Sequence, residues 1–368
     1  MNPPVSRRAV ALLGAVTTVL SALAASPTTA MADPPKPGEH TSPAYAAADQ
    51  LARQLARSMR DRAGRDRVVS AVAAGPAELA NLALDAAFTK AVRAGDEAVA
   101  AAKGLPAGTA LLQVRLADPG MWTALRSGAA PLVAATPTDD TATGLAGYQP
   151  AGGAVTLDAA RVPDRPVLLV EVDTAKALPL GIDVVRQRLA RDSLQPAAAK
   201  TAAAATGYWA TKINAIRLSD DEEPWFKGDA EIYGVVGATG VDGTAKADIV
   251  QLPYLDNDGV TYYPNQLLVH FNGYKYNLAD VVMMEDDGDT NYQQLAQAIA
   301  TALLTIADLG AYAPLVDAIL AAIPTSWYTD DPDYVDSWYT LSTTSTGRLN
   351  GAAGNGWMDV SPYYVTIL

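Results

Sequence analysis

The side chains whose spacing could do chemistry are carboxylates, and they concentrate in residues 220–368. Four acidic clusters adjoin predicted strands or turns, at residues 220–231, 256–258, 285–291 and 330–336. Several carboxylates in one loop repel each other, and a bound calcium ion relieves that repulsion by taking about six to eight oxygen ligands. The first and third clusters therefore predict a calcium site shared by two loops at one end of a β-sandwich.

Two other interpretations of the acidic clusters stay open. Any single cluster is also explained as a solvated loop, and YLDNDG at residues 254–259 is typical of a turn. Alternatively, two facing carboxylates, one with a raised pKa, could hydrolyse a glycosidic bond. Glu231 and Glu285 are the candidates for that chemistry, because both stand at the end of a predicted strand.

Histidine and cysteine are scarce, which excludes several kinds of site. The chain has no cysteine, so disulfides, thiolate metal sites and cysteine nucleophiles are excluded. Its two histidines are His40 and His270, so a zinc site with two or three histidine ligands is not expected. A Ser-His-Asp arrangement would need His270, since His40 lies in a proline-rich segment. These absences favour a non-catalytic protein over a hydrolase.

Charge is distributed unevenly along the chain, whose formal net charge is −13. Residues 33–219 carry 21 basic and 18 acidic side chains, a net charge of +3, whereas residues 220–368 carry 4 and 22, a net charge of −18. A surface this acidic repels nucleic acid, so nucleic-acid binding is the partner class that the sequence disfavours most.

Aromatic side chains also gather after residue 220 and have two interpretations. Adjacent pairs such as Tyr262-Tyr263 and Trp338-Tyr339 could form a sugar-stacking face beside the carboxylates. Cross-strand packing in a half-buried sheet explains such residues more simply. Since neighbours in a strand point to opposite faces, at least half of these rings are expected to be structural.

The first 32 residues predict export from the cytoplasm. Arg7 and Arg8 precede an apolar stretch that reaches about Ala25, and Ala30-Met31-Ala32 is typical of a cleavage site. The apolar stretch is shorter than the roughly 20 residues of a spanning helix, so a cleaved signal is favoured over a membrane anchor. Residues 33–42 then form a flexible, proline-rich lead-in, and the protein is expected to be secreted and not to span a membrane.

Residues 43–193 are predicted to form a small, alanine-rich α+β domain. Ser42-Pro43 is typical of a helix N-terminus, and the apolar spacing after it predicts a helix that ends near Gly64. A second helix is expected from about Pro76 to Gly104, broken around Gly95. No chemical constellation stands out in this half. Strands are predicted at residues 110–116, 155–157 and 167–172, the last central in its sheet because it is almost continuously apolar, and a short helix at 182–189.

The second half, residues 209–368, follows an alanine-rich linker at residues 194–208. It is predicted to be an acidic, aromatic-rich, antiparallel β-sandwich with a helical insertion at residues 291–323. Short strands separated by glycine, aspartate and asparagine turns carry this prediction. They are expected at residues 209–218, 231–236, 248–252, 267–271, 281–285, 337–341 and 363–368.

Two resemblances bear on this half. The acidic loop before the EIY strand, together with the EDDGD loop, resembles the calcium-dependent phospholipid-binding sandwich domains. In those domains two loops at one edge hold the ions, and the resemblance implies that the calcium ligands here are Asp220, Asp221, Asp229, Glu285, Asp287 and Asp289. Residues 209–368 more closely resemble an uncharacterised family of secreted bacterial proteins known only as a domain of unknown function. The segments EPWFKGDAEIYGVV, LPYLDNDGVTYYPNQ, EDDGDTNY and TDDPDYVDSWYTL carry this second resemblance, which implies secretion and a shared fold but no activity.

These observations favour a secreted, non-catalytic binding module. Calcium would stabilise the acidic loops, which would bind a cell-surface glycan or lipid. The alternatives are a carboxylate-dependent secreted hydrolase, similar to a glycosidase, and an envelope-associated structural protein without a small ligand.

Overall fold

The computed structural model of the protein describes residues 42–138, 142–192, 206–220, 225–228, 230–241, 243–286, 288–308, 318 and 334–367. These residues form the α+β fold that the sequence predicts, with three sheets built largely from antiparallel strands. The predicted export signal, the lead-in before Ser42 and the linker up to residue 205 lie outside the described residues. Among the helices described, none has the length and apolar character needed to cross a membrane.

Local capping sets where the first helices begin. The backbone N–H of Tyr45 donates to Ser42 Oγ at 3.1 Å, as the predicted N-cap requires. The helix predicted to end near Gly64 is in fact two, because Asp61 accepts a hydrogen bond from the Gly64 N–H at 2.8 Å and starts a new helix. The three helices that open the described chain are α1 (Pro43–Ser58), α2 (Arg62–Ala71) and α3 (Ala86–Ala102).

Helix α3 begins later than the sequence predicts and is not broken at Gly95. Asp85 caps it by accepting from the Phe88 N–H at 2.8 Å, and the residues before it form a short strand and 3₁₀ turns. Gly95 lies within the helix, where a Cβ atom would stand 2.9 Å from side-chain atoms of Leu51 and Leu112. This glycine therefore marks the close packing of α3 against α1 and the first sheet.

The first sheet has six strands in the order β1-β2-β6-β3-β4-β5. Strand β6 is fully buried and third in this order, so the prediction of a central VLLVEV strand is confirmed. It pairs antiparallel with β2 and parallel with β3. The strands are β1 (Ala77–Glu78), β2 (Leu112–Leu116), β3 (Leu132–Ala135), β4 (Gly144–Tyr148), β5 (Ala154–Asp158) and β6 (Val167–Val172).

Each face of this sheet packs on a different set of apolar residues. Alternate side chains such as Val114 and Val170 contact the core that includes α1 and α3. The others, among them Ala134 and Leu169, contact a smaller cluster that includes Phe226 from the second half of the chain. Two further helices, α4 (Trp122–Arg126) and α5 (Thr174–Asp192), follow β2 and β6.

The second half is the predicted antiparallel sandwich. Its sheets have the orders β10-β7-β14-β13 and β12-β11-β8-β9, and they share one apolar core. All seven predicted strands occur, and of the eight strands described here only β13 was not predicted. They are β7 (Gly207–Leu218), β8 (Tyr233–Thr239), β9 (Ala245–Gln251), β10 (Gln266–His270), β11 (Leu278–Met284), β12 (Tyr334–Ser342), β13 (Gly347–Asn350) and β14 (Gly356–Thr366).

Helix α6 (Tyr292–Asp308) opens the predicted helical insertion, whose remainder lies outside the described residues except for Ala318. Together with α5 it covers the face of the β12-β11-β8-β9 sheet that points away from the sandwich core. One continuous apolar cluster runs from α1, α3 and β6 through α5 and α6 to side chains of that sheet, such as Val235 and Val282. The division into residues 43–193 and 209–368 stays a prediction, but the two segments share a core.

Candidate functional site

A cavity of about 560 Å³ opens at one edge of the first sheet, where the two halves of the chain meet. Strands β3 and β6 are parallel, so their carboxyl ends lie at the same edge, and Thr136 and Asp173, which follow them, both line the cavity. The start of β2 lies beside them because β2 is antiparallel to β6. The first turns of α1 and α5 supply further wall, and the second half contributes Lys227, Gly228, Glu231, Asp286 and Gly288.

Glu171 on β6 is held by three neighbours. Arg115 Nε donates to its Oε1 atom at 2.7 Å and Gln113 Nε2 donates to the same atom at 3.1 Å. Thr136 Oγ1 donates to Oε2 at 2.9 Å. The side chains of Arg115 and Glu171 are only 13% and 10% exposed, so this ion pair is a fixed part of the cavity wall.

A short segment of the second half, residues 225–228, reaches across to the first sheet. Phe226 is fully buried among the side chains of that sheet, and its carbonyl accepts from Arg115 Nη2 at 2.8 Å. Trp225 Nε1 donates to the Asp158 carbonyl at 3.3 Å. Lys227, which is 8% exposed, is thereby placed in the cavity wall by the anchoring of its neighbour.

Behind the cavity lies a buried polar network formed by Lys103, Asp286 and Tyr292. Lys103 Nζ stands 2.8 Å from Asp286 Oδ1, and both side chains are fully buried. The Tyr292 hydroxyl donates to Asp286 Oδ2, and the Gly288 N–H donates to Oδ1 at 3.2 Å. Burial raises the pKa of Tyr292 well above its ordinary value, and the negative charge of Asp286 adds to the effect. The network joins the end of α3 to the start of α6, since the Tyr292 N–H donates to the Lys103 carbonyl at 3.0 Å.

Asp173 differs from Glu171 and Asp286 because the described residues use only part of its hydrogen-bonding capacity. Its Oδ1 atom accepts from the Lys176 N–H at 3.0 Å at the start of α5, and Oδ2 has no partner among the described residues. Burial raises the pKa of Asp173 above its ordinary value, although the hydrogen bond and the charge of Lys176 oppose the shift. A partly desolvated carboxylate with a free oxygen is suited to receive a donor from a ligand.

The predicted calcium ligands are only partly described. Asp221, Asp229 and Asp287 lie outside the described residues. Asp220 is exposed, whereas Glu285 is fully buried and Asp289 half-buried. In the part of the chain that the structure describes, no group of three or more acidic or histidine side chains could hold a metal ion. The calcium site stays a prediction.

Among the described residues next to these ligands, Asp220 after β7 and Met284 at the end of β11 lie at the same end of the sandwich. The Asn355 side chain exchanges hydrogen bonds with the Asp220 backbone and donates to the Val335 carbonyl at 3.3 Å. Next to Val335, Tyr334 pairs with Met284 at the end of β11. The chain after β7 and the chain after β11 are therefore neighbours.

Only one of the two carboxylates considered for hydrolysis lines the cavity, although their strand ends are adjacent and the Asp286 N–H donates to the Glu231 carbonyl at 3.3 Å. Glu231 lines the cavity, but Glu285 is not among the lining residues. Among the adjacent aromatic pairs, Tyr363 and Tyr364 are both exposed, whereas in β12 Trp338 is 2% exposed and Tyr339 is 38% exposed. This alternation is the one expected of cross-strand packing.

Sequence reasoning did not single out the cavity residues of the first half. Glu171 is a charge inside a strand that is otherwise fully buried, and Asp173 follows directly at its end. A carboxylate within a buried strand needs a partner, so this position was a usable signal. Arg115 gave none, because the pairing of β2 with β6 that brings it to Glu171 is a tertiary contact.

Comparison with known families identifies one match, and it is wider than the resemblance noted for the second half. No curated protein and no solved structure matches the chain. The matching family is described as "Protein of unknown function (DUF3103)" and is matched by residues 46–367, so both halves of the chain are included. Because that match spans most of its length, the chain belongs to this family of proteins of unknown function.

Proposed function

We propose that the protein is a secreted, non-catalytic binding protein that holds a small polar ligand in the cavity between its two halves. The observation that carries this proposal is the cavity itself, which combines about 560 Å³ of space with charged side chains from both halves. Small-molecule sites commonly enclose about 300–1,000 Å³ and place a few oriented polar groups among apolar ones. The apolar part of the wall here includes Pro76, Pro119, Pro137 and Val172.

The position of the cavity in the fold supports the same proposal. In open α/β sheets, ligands bind beyond the carboxyl ends of parallel strands, which is where Thr136 and Asp173 follow β3 and β6. The wall is also preorganised, because the Arg115–Glu171 pair and the anchored Phe226 fix its polar groups before a ligand arrives.

Calcium and location complete the proposal. Residues 1–32 would direct export, and the acidic loops at the end of the sandwich would bind calcium, which is plentiful enough outside cells for sites with dissociation constants of about 10⁻⁴–10⁻³ M. A calcium-loaded sandwich end could attach the protein to a cell-surface glycan or lipid, independently of the cavity. The calcium ligands would come from Asp220, Asp221, Asp229, Glu285, Asp287 and Asp289.

The cavity proposal is tested by a thermal-shift screen of soluble sugars, amino acids and short peptides with a variant that fills the cavity. Ala175 lines the cavity in the first turn of α5 and is exposed, so Ala175→Trp would occupy the space with little cost to the core. A ligand of the cavity raises the unfolding midpoint of the parent protein but not of this variant. Ala94→Trp, at an exposed position on α3, is the matched control and should respond as the parent does. If Ala175→Trp responds to every compound as the parent does, the cavity is not the binding site.

A second candidate, a carboxylate-dependent hydrolase, is favoured by one observation. Asp173 and Glu231 line the same cavity, and burial raises the pKa of Asp173, which is the property of a general acid. Incubation with oligosaccharides and peptides, followed by chromatography, would detect cleavage. Products that form with the parent protein but not with Asp173→Asn or Glu231→Gln would establish the hydrolase and exclude the non-catalytic role.

A further inference from the structure

The Lys103 amine and the Asp286 carboxyl group are close enough for a reaction between them as well as for an ion pair. Lys103 Nζ lies 2.8 Å from Asp286 Oδ1, and both side chains are fully buried. The Asp286 Cγ atom is one bond of about 1.2 Å from Oδ1, so it lies within about 4 Å of Nζ. Because reacting atoms in a near-attack arrangement are about 3–3.5 Å apart, a small rotation of either side chain brings the amine to Cγ.

Both partners of this pair are held in place by the surrounding structure. Lys103 caps the end of α3, where its N–H donates to the Val99 carbonyl at 2.9 Å and its carbonyl accepts from the Tyr292 N–H at 3.0 Å. On the other partner, the Gly288 N–H donates to Asp286 Oδ1 at 3.2 Å, and the Tyr292 hydroxyl donates to Oδ2. Groups held in this way by a rigid structure react as if they were present at very high concentration.

Burial and the Tyr292 hydroxyl both favour condensation of the two groups. An ammonium and a carboxylate lose their hydration when they are buried, whereas the amide that replaces them has no net charge and avoids this cost. When the amine adds to Cγ, negative charge develops on Asp286 Oδ2, which is the atom to which the Tyr292 hydroxyl donates. Since Lys103 and Asp286 are fully buried, bulk water does not compete with the amine at Cγ.

We propose that Lys103 and Asp286 become joined by an intramolecular amide bond that forms within the folded protein. One proton moves from Nζ to Oδ1, and the neutral amine then forms the Nζ–Cγ bond. A second proton passes from Nζ to Oδ1, the Cγ–Oδ1 bond breaks and one water molecule leaves. Oδ2 becomes the amide carbonyl and keeps its hydrogen bond from Tyr292. The reaction consumes no other compound, and the released water has an exit because Asp286 lines the cavity.

The amide bond connects positions that are 183 residues apart in the chain. It joins the end of α3 in the first half to the segment after β11 in the second half. A covalent link that closes a long loop stabilises a protein by restricting its unfolded state, as a disulfide does. The chain has no cysteine and cannot gain this stabilisation from a disulfide. The bond does not depend on the ligand proposed for the cavity.

Intact-mass spectrometry of the denatured full-length protein tests the bond. Lys103→Arg keeps the positive charge but has no amine that can react, so its mass should exceed that of the parent by the substitution plus one water molecule. Lys90→Arg, at an exposed position on the same helix, is the matched control and should differ from the parent by the substitution alone. If both variants differ from the parent by the substitution alone, the parent has lost no water and the proposal is wrong. A variant that does not fold still provides its mass.

Tryptic digestion locates the bond. Trypsin does not cleave after an acylated lysine, so the parent should yield residues 94–115 joined to residues 276–348. A separate peptide that ends at Lys103 would overturn the proposal, even if water has been lost elsewhere. Tyr292→Phe removes the donor to Oδ2 and should slow the loss of water about a hundredfold, as measured by a time course of the mass after cell-free synthesis. Loss at the parent's rate would contradict the role assigned to the Tyr292 hydroxyl.

Discussion

The buried network and the cavity beside it each contain a partly or fully buried aspartate, but the two carboxylates differ in how many partners they have. In the buried network, Lys103 and Tyr292 satisfy the carboxylate of Asp286 in a space without solvent. In the cavity, Asp173 Oδ1 accepts a hydrogen bond from the start of α5, and Oδ2 has no partner among the described residues. The two carboxylates lie in one region of the fold, so their local partners, rather than their position in the fold, set their roles.

This contrast shows how a charge can be assigned to structure or to binding. A buried charge that is fully matched joins elements of the fold, here the end of α3 and the start of α6. A carboxylate that is partly desolvated but incompletely matched makes the folded state less favourable, and proteins retain such groups where a ligand completes them. The contrast can be tested by removing partners one at a time.

The largest effect is expected when Lys103 is replaced by methionine. Lys103→Met leaves the Asp286 carboxylate buried without its cation, which should lower the free energy of unfolding by about 3–5 kcal/mol. Urea denaturation followed by circular dichroism measures this change. Lys90→Met, at an exposed position on the same helix, is the matched control. The double variant Lys103→Met, Asp286→Asn should recover part of the loss, and similar losses in Lys103→Met and Lys90→Met would show that the network does not stabilise the fold.

A smaller loss is expected at the ion pair in the cavity wall. Arg115→Met removes the donors to Glu171 and to the Phe226 carbonyl. We expect it to lower the free energy of unfolding by about 1.5–3 kcal/mol, since the Arg115 and Glu171 side chains are slightly exposed. Arg62→Met, which removes an exposed helix pair with Asp66, should cost less than about 1 kcal/mol. Chemical denaturation compares the two variants. A smaller loss in Arg115→Met than in Arg62→Met would mean that the Arg115–Glu171 pair is not a fixed part of the wall.

Calcium should stabilise the protein moderately, because a bound ion would neutralise the carboxylates of the acidic loops. With a dissociation constant of about 10⁻⁴ M, about 1 mM calcium would stabilise the protein by about 1.4 kcal/mol. Thermal melts with calcium, with chelator and with magnesium at equal ionic strength measure the effect. The variant Asp220→Asn, Asp289→Asn should respond less than the parent. Equal midpoints with calcium and chelator up to millimolar concentrations would refute the calcium site.

The smallest change in stability is expected for Asp173→Asn. The direction of that change shows whether the Asp173 charge stabilises or destabilises the folded protein. Burial raises the pKa of Asp173 above its ordinary value of about 3.8, so the folded protein binds this proton more tightly than the unfolded chain does. The contribution of this proton to the free energy of unfolding is fully present below pH 3.8 and is lost as the pH rises through the raised pKa of Asp173. Asp173→Asn keeps the helix cap without the charge, and should therefore unfold at a higher temperature than the parent at neutral pH but not at low pH.

Thermal melts across this pH range, with Asp183→Asn as the control, check the expected sign. Asp183 is an exposed carboxylate on the same helix, and Asp183→Asn removes one negative charge outside the cavity. A lower midpoint for Asp173→Asn at neutral pH would indicate that Asp173 is a stabilising group, as Asp286 is, and would remove the contrast between the two carboxylates.

Much of the fold could be predicted from local patterns. Alternating apolar residues and turns identified the seven sandwich strands, and the continuous apolar run VLLVEV identified the central strand of the first sheet. Failures occurred where packing overrode local preference. Gly95 was expected to break a helix, but it lies inside α3. Glycine occurs at this position because Leu51 and Leu112 leave no space for a side chain. The short strand β13 was missed because its four residues, GRLN, include one apolar side chain and show no alternation, so only its pairing with β14 identifies it.

The strand alternation of the second half and its excess of acidic side chains, like the lack of cysteine, can be inferred from the amino-acid sequence. These properties depend on residue type and spacing over short distances, so no folded structure is needed to infer them. Which charges meet can be learned only from the folded protein. Lys103 and Asp286 are 183 residues apart in the chain, and Arg115 and Phe226 are 111 apart. Contacts over such separations depend on sheet order and on the packing of one half against the other, and this packing also creates the cavity.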